Sequence, residues 1–556
     1  MAKDGRLTQA YLAALALLWL LAMHYYQPNG GGAGLALAFN STSWIAISLI
    51  LAVGLWQLQQ QQTLHYTRTD LALLAVLLCL ALPLLWSDAP WRQTGYDRYL
   101  GLIALAALIL LHRQFVFSRA QKQRFWALLS VAALIQALIA LGQFLAIPLL
   151  AEIPQLRPSG TLQQTNVIAS LLASGIAISA YQRLSLTLPN GLLWLHRAVI
   201  LTAFTAQLLI LSRTGLLGTL LALLGLGLLY RTQRRRLLEL GGLFGAALIL
   251  ALLLQHSQVG AGRANMAEPG YRTVQYQLSA ELFLQAPLTG HGIGQFQSRY
   301  AEHKAQRLAQ QPDLTQYSSA SSHPHNELLF WAVEGGVLPP LGLVLFALGF
   351  TLLVWRRGSL AQRAAWLCSV PILLHTQTEY PLYHSAPHLA LLALLLSEAT
   401  PGTRLSRHAP LTLLPKLTAV LLVLLITPFM LTNLHTTYLG GQYFAEGKAA
   451  PLTRIINPFG QEKIVNMLMG SALLKAGHPQ ALAQAQALAE HEVQLRPSVG
   501  AYLLLYDAQR LSGQTQQAQA TLAQARYHFP SAPLLQPSEP TPPTRSADWP
   551  PASPTL

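Results

Sequence analysis

The apolar residues of this chain gather into blocks of about 17–25 positions, the length an α-helix needs to cross a bilayer. The blocks fall near 9–24, 41–57, 70–87, 99–112, 125–147, 164–182, 194–211, 214–230, 237–255, 326–354, 362–375, 386–398 and 411–431. They are too many, with too little polar surface between them, to be ordinary core helices. The expected fold is all-α: a polytopic membrane protein with about 13 transmembrane helices. Composition agrees. The 556 residues are 52% hydrophobic and 10% charged, where a soluble globular chain carries about 25% charged residues.

Charge then orients the spans. The formal charge of +15 would suggest nucleic acid in a soluble chain. Here Lys and Arg sit mostly in short loops beside apolar blocks, so they read as topology signals, and no nucleic acid is expected. Arg113, Arg119, Lys122 and Arg124 form one basic loop; Arg231, Arg234, Arg235 and Arg236 a second; Arg356, Arg357 and Arg363 a third; Arg404, Arg407 and Lys416 a fourth. All four fall on the side of Lys3 and Arg6, which is the cytoplasmic side of an inner membrane. The N-terminal MAKDGR and its apolar stretch read as an uncleaved anchor, because no small-residue cleavage site follows and many spans do. Cys79 and Cys368 lie inside apolar blocks and read as buried thiols rather than a disulfide or metal site.

The opposite, periplasmic side carries the segment 153–166, a long loop over 256–325, the short loop 376–387 and the chain after about 432. The layout is thus N-terminal transmembrane helices over 1–255, a periplasmic loop over 256–325 and C-terminal transmembrane helices over 326–431. A periplasmic helical domain over 432–530 and a Pro/Ser-rich disordered tail over 531–556 complete it. In the helical domain KAGHPQALAQAQALAEHEVQLRP is echoed by LSGQTQQAQATLAQARYHFP at an offset of about 34 residues, which resembles tetratricopeptide helix pairs. Such pairs stack into concave protein-binding surfaces; a plain helical hairpin domain is the alternative.

Polar residues that break the apolar pattern mark the candidate chemistry. Arg157 in LRPSGTLQQTN, Arg213 in ILSRTGLLG and Arg272 in EPGYRTVQY all lie on the side where the topology rule disfavours them. Any one of them fits a snorkelling anchor. Three at one interface favour an anion site, because a guanidinium grips phosphate oxygens in bidentate fashion. A lipid diphosphate would be the natural guest. A second cluster, SSHPHNELLFWAVEGG, places His323, His325, Asn326 and Glu327 where the long loop meets a span. Two readings compete: a metal site built on His-x-His, or a general base at the membrane surface. A third, HTQTEYPLYHS, offers His375, Glu379, Tyr380, Tyr383 and His384. Interfacial Tyr is common in aromatic belts, whereas an acid at a span end tends to be functional.

Together these segments resemble the superfamily of O-antigen ligases, O-antigen polymerases and protein O-oligosaccharyltransferases. The ligase pattern of that superfamily is His, then Asn or Ser, nine residues, Gly, and a small or aromatic residue three further on. Here His325–Asn326 is followed by nine residues and Gly336, with a departure at Pro339. LSRTG at 211–215 is similar as well, as is the run from Arg272 to Phe296 with its core APLTGHGIGQF. The stretch 157–173 resembles the superfamily's Arg-x-x-Gly…Gln-x-Asn segment and supplies Gln164 and Asn166. TEYPLYHS and the helical extension look most like the pilin-type protein O-oligosaccharyltransferases.

The resemblance implies a glycosyltransferase that moves a preassembled glycan from undecaprenyl diphosphate to Ser or Thr of a periplasmic protein such as a pilin. It implies inversion at the anomeric centre and no metal or nucleotide cofactor. It makes His325 the base and Arg157, Arg213 and Arg272 a diphosphate clamp, with Gln164, Asn166, His323, Asn326, Glu327, Glu379, Tyr380, Tyr383 and His384 in support. An O-antigen ligase acting on a lipid A-core sugar and a polymerase acting on a second lipid-linked glycan remain alternatives. A transporter is disfavoured by the few acids at mid-span and the lack of an inverted repeat of broken helices.

Overall fold

Small residues decide what sits at the centre. Ala169, Ser170, Ala173, Ser174, Gly175, Ala177, Ser179 and Ala180 make the helix Thr165–Ser185 slender, so its neighbours approach closely. A Cβ at Gly175 would lie 2.2 Å from Ala133 Cβ. This helix is 94% buried over its apolar window, against 17% for lipid-facing helices such as Leu338–Arg357. The structure is a computed structural model that describes residues 2–147, 157–257, 270–311, 320–408 and 413–536. The segment 153–156, the part of the long loop over 258–269 and 312–319, and the tail from 537 lie outside the described residues.

In chain order the helices are α1 (Ala2–Leu20), α2 (Ala38–Gln61), α3 (Arg68–Ala81), α4 (Tyr96–His112), α5 (Arg119–Phe144), α6 (Thr165–Ser185), α7 (Asn190–Ile210), α8 (Arg213–Leu229) and α9 (Arg234–Ser257). There follow α10 (Gly270–Gln285), α11 (Phe296–Gln310), α12 (Glu327–Gly335), α13 (Leu338–Arg357), α14 (Leu360–His375), α15 (Ala386–Ala399) and α16 (Leu414–Glu446). Last come α17 (Glu462–Ala476), α18 (Pro479–Leu495), α19 (Val499–Leu511) and α20 (Thr515–His528). The protein is an all-α polytopic membrane protein. Among the described residues ten helices are long and apolar enough to cross a membrane. The other three apolar blocks of the sequence are α8, α14 and α15, of 17, 16 and 14 residues, shorter than the about 20 that a full crossing takes. The block over 326–354 is not one span but two helices, α12 and α13, broken at Gly336.

The four basic loops share the Ser185 end of α6. Arg236 Nη1 donates to Leu184 O (2.9 Å), and Arg183 pairs with Glu239. Lys122 reaches Glu398, and Gln362 Nε2 donates to Thr400 O (2.7 Å). A two-stranded antiparallel sheet, β1 (Thr63–Tyr66) with β2 (Leu405–His408), closes this end, Thr63 opposite His408.

At the other end α10 and α11 occupy much of the segment expected as a long loop. The Gly-rich run between them is a cap on α12. His291 N–H donates to Val333 O and Gly292 N–H to Glu334 O, both at 2.9 Å, while Val337 N–H donates to Pro287 O at 2.8 Å. The first two bonds satisfy carbonyls that the end of α12 leaves open. Contact is backbone on backbone: at Gly290 (φ +66°) a Cβ would sit 2.4 Å from Glu334 C, and at Gly336 (φ +75°) 2.2 Å from Leu288 O. Pro339 falls in the first turn of α13, where a missing N–H costs nothing. The C-terminal helices α17–α20 form two hairpins that pack on α11. Lys304 Nζ lies 5.0 Å from the Phe529 ring centroid, and His528 Nε2 is 3.1 Å from Glu302 Oε2.

Candidate active site

Three helices begin at one place, and each is capped by a side chain. Gln164 accepts from Val167 N–H at the start of α6 (2.7 Å), Ser212 from Gly215 N–H at α8 (3.2 Å), and Asn326 from Leu329 N–H at α12 (2.9 Å). Their aligned N-termini favour negative charge nearby. Arg213 is the first residue of α8, and Arg157 Nη2 donates to Thr165 Oγ1 (3.3 Å) at the first residue of α6. Arg272 lies in the first turn of α10.

The loop 376–380 ties these starts together. Asn326 Nδ2 donates to Gln377 O (3.1 Å), Glu327 N–H to Thr376 O (2.9 Å), and Thr214 Oγ1 lies 3.2 Å from Thr378 Oγ1. Glu379 is the hub. Its Oε2 lies 2.5 Å from His325 Nδ1, and its Oε1 accepts from Arg272 and from Asn166 Nδ2 (3.3 Å). Asn166 Oδ1 in turn accepts from Ser212 Oγ (2.7 Å).

His325 adopts a left-handed backbone, φ +56°, uncommon for any residue but Gly. The turn is held by its neighbours. His325 N–H donates to His323 Nδ1 (2.8 Å), and Tyr276 Oη donates to His325 O (3.1 Å). The buried His323 ring is packed 4.4 Å from Phe330 and 5.0 Å from Tyr380, centroid to centroid. Its Nδ1 is therefore committed to the turn rather than shared with His325 toward a common metal. Among the described residues no three His, Cys, Asp or Glu side chains gather as metal ligands.

The family model for O-antigen ligase matches residues 198–347, and that for the C-terminal part of virulence factor membrane-bound polymerase matches 363–538. The chain belongs to the O-antigen ligase and polymerase superfamily. No curated protein matches it. It is accordingly a membrane glycosyl-transferring enzyme of the O-antigen ligase type. The ligase match contains Arg213, Arg272, His325 and Gly336, and the polymerase match contains Glu379 and α17–α20.

The electrostatics around Glu379 favour its charged form. Burial alone would raise the Glu379 carboxyl, but the hydrogen bond from His325 and the charges of His325 and Arg272 outweigh it and hold it at about 2. Glu379 is thus ionised at neutral pH. It accepts Nδ1–H and leaves His325 Nε2 as the proton acceptor, the arrangement by which a carboxylate fixes a histidine tautomer. Burial pushes His323 well below the ordinary range, with the charges of His325 and Arg98 adding to it, so His323 stays neutral.

The remaining singled-out residues support the frame. Tyr380 packs its ring 5.4 Å from that of His325. Tyr383 Oη donates to Glu327 Oε1 (2.5 Å), which also accepts from Trp331 Nε1 (2.8 Å). His384 Nε2 donates to Leu162 O (2.9 Å). Sequence reasoning passed over Arg98. Its Nη2 pairs with Glu334 Oε2 at 2.8 Å, and its guanidinium lies 4.0 Å from the Phe330 ring that backs His323. The available signal was a basic residue at an apolar block facing an acid inside another.

Proposed function

We propose that this enzyme is a protein O-oligosaccharyltransferase, closest in kind to the pilin-type members of its superfamily. It moves a glycan en bloc from undecaprenyl diphosphate to Ser or Thr of a periplasmic acceptor such as a pilin. The observation that carries the reading is the His325–Glu379 pair set among Arg272, Arg213, Arg157 and three helix N-termini. A weak nucleophile, a hydroxyl, needs a base; a leaving diphosphate needs cations. The acceptor O–H gives its proton to His325 Nε2 as its oxygen bonds the anomeric carbon. The bond from that carbon to the phosphate oxygen breaks, and its electron pair leaves with the diphosphate. Attack from the face opposite the leaving group inverts the centre. Glu379 holds the resulting imidazolium. No metal or nucleotide enters the scheme.

The reading places the N-terminus and the four basic loops in the cytoplasm of a bacterial inner membrane. His325 and residues 432–530, as a tetratricopeptide-like acceptor-docking domain, lie in the periplasm. It is supported by the gathering of the basic loops at the Ser185 end of α6 and of the site at the Asn166 end. A second reading, transfer to another lipid-linked glycan or to lipid A-core, draws on the polymerase match over 363–538. Co-expression with a pilin and a lipid-linked glycan separates them by intact mass. Glycan-bearing pilin that disappears with His325→Ala supports the first. Unmodified pilin with newly extended lipid-linked or core-linked glycan replaces it with the second.

A further inference from the structure

A cavity of about 600 Å³ opens at the basic end of the bundle, between the C-terminal ends of α4, α6 and α15 and the loops that follow α4 and α15. It is separate from the site above. Gln182 lines it, and Asn166 touches Glu379 on the same helix; sixteen residues at 1.5 Å each set them about 24 Å apart. Arg113, Arg119, Lys122 and Arg404 line the cavity against one carboxylate, Glu398. That carboxylate is already engaged by Lys122 and by His112 Nε2 (2.8 Å). Arg113 gives Nη2 to Asp70 (3.1 Å) and Thr400 (3.3 Å).

Two donors in the lining have no acceptor in the protein. Arg113 Nε and Gln182 Nε2 are buried and unpaired, although these residues are only 5% and 1% exposed. Buried donors are nearly always satisfied, so two uncompensated donors beside the cavity add to the positive character of its wall. The lining suits an anionic guest, because Arg113, Arg119, Lys122 and Arg404 outnumber Glu398 and the neighbouring Asp70. A phosphate ester offers several acceptor oxygens and suits Arg forks.

We propose that this cavity binds a phosphate ester, either the headgroup of an anionic phospholipid or a soluble phosphate compound. The proposal does not depend on which acceptor the enzyme glycosylates. The test is native mass spectrometry and thermal unfolding of the detergent-purified full chain. Phosphatidylglycerol, phosphatidylcholine and inorganic phosphate are the separate probes. Gln182→Met removes a buried donor at similar volume, and Arg404→Gln removes an exposed cation. Saturable phosphatidylglycerol binding, not matched by phosphatidylcholine or phosphate and weakened about tenfold by either variant, supports the lipid source. Saturable inorganic phosphate binding weakened in the same way supports the soluble source. Should Gln182→Met fail to fold, Arg404→Gln combined with Arg119→Gln decides, both residues being exposed. Binding of none of the probes, or binding indifferent to the variants, overturns the proposal.

Discussion

His325 Nδ1 lies 2.5 Å from Glu379 Oε2, though the two residues are 54 positions apart in the chain. On the proposed reading this pair is the base and its orienting partner. His325→Ala should abolish transfer, by about a thousandfold or more, with the protein still accumulating in the membrane. Glu379→Gln should cut turnover about a hundredfold or more by losing the tautomer and the imidazolium partner. The double variant should be little worse than His325→Ala, because residues that act as a unit are not additive. His323→Ala should be milder, since it loosens the turn without removing the base. Equal losses at His323 and His325, with chelator sensitivity, would restore the metal reading.

Arg213→Lys and Arg272→Lys keep the charge and lose the planar fork, so both should impair transfer and weaken undecaprenyl diphosphate binding in parallel. Arg272 is also bonded to Glu379, so its variant should lower turnover as well as affinity. Untouched lipid binding in both variants would mean that the arginines are structural.

Gly290→Ala tests the backbone contact that seats α12. The position has φ +66°, and a Cβ would lie 2.4 Å from Glu334 C. A cost of about 3 kcal/mol or more is expected, visible as lost accumulation or a lower melting temperature. Gly227→Ala in α8 is the control, because nothing lies within 4 Å of a Cβ there; it should be neutral or slightly stabilising.

Much of the fold was legible in sequence because bilayer crossing imposes long apolar blocks, and every block is helical, the one over 326–354 as two helices. The break at Gly336 was passed over in the span over 326–354, although Gly335, Gly336, Pro339 and Pro340 interrupt the apolar run there; the approach of Leu288 leaves no room for a Cβ at Gly336. His325 stood out by motif. The roles around it did not, because Glu379, Asn166 and Ser212 meet through tertiary packing from segments far apart in sequence. Arg98 was hidden for the same reason: Glu334 stood in the second cluster, but its pairing with Arg98 exists only in the fold. The Gly-rich core of APLTGHGIGQF stood out only by its resemblance to the superfamily. In the structure the amides of His291 and Gly292 are spent on carbonyls of α12.

Docking of the C-terminal helices should depend on pH through Lys304. Burial pushes its amine down from 10.5 to about 7, beside Phe529 and near the Glu302–His528 pair. Between about 7 and 10.5 the undocked, hydrated amine holds a proton that the docked one lacks. Docking therefore strengthens as pH rises through that window and is weakest below it. Lys304→Met should flatten the dependence and raise docking stability at neutral pH, read as slower hydrogen exchange in α20. An unchanged pH profile in the variant would assign the effect to another group.

The C-terminal helices should govern the acceptor rather than the chemistry. They pack on α11, where Gln297 Nε2 donates to Pro497 O (3.4 Å), and none of their residues bonds to His325, Glu379 or Arg272 among the described contacts. Truncation after Tyr443 should leave the membrane region inserted, because the core of the bundle is made by α1, α2, α4–α9 and α13–α15. Transfer to folded pilin should be lost. Hydrolysis of the lipid-linked glycan, or transfer to a short acceptor peptide, should persist within about tenfold, since the base and the arginines remain. Loss of every activity from a normally inserted protein would make the domain a structural support for α11 instead. Full transfer to intact pilin by the truncated protein would refute the docking role.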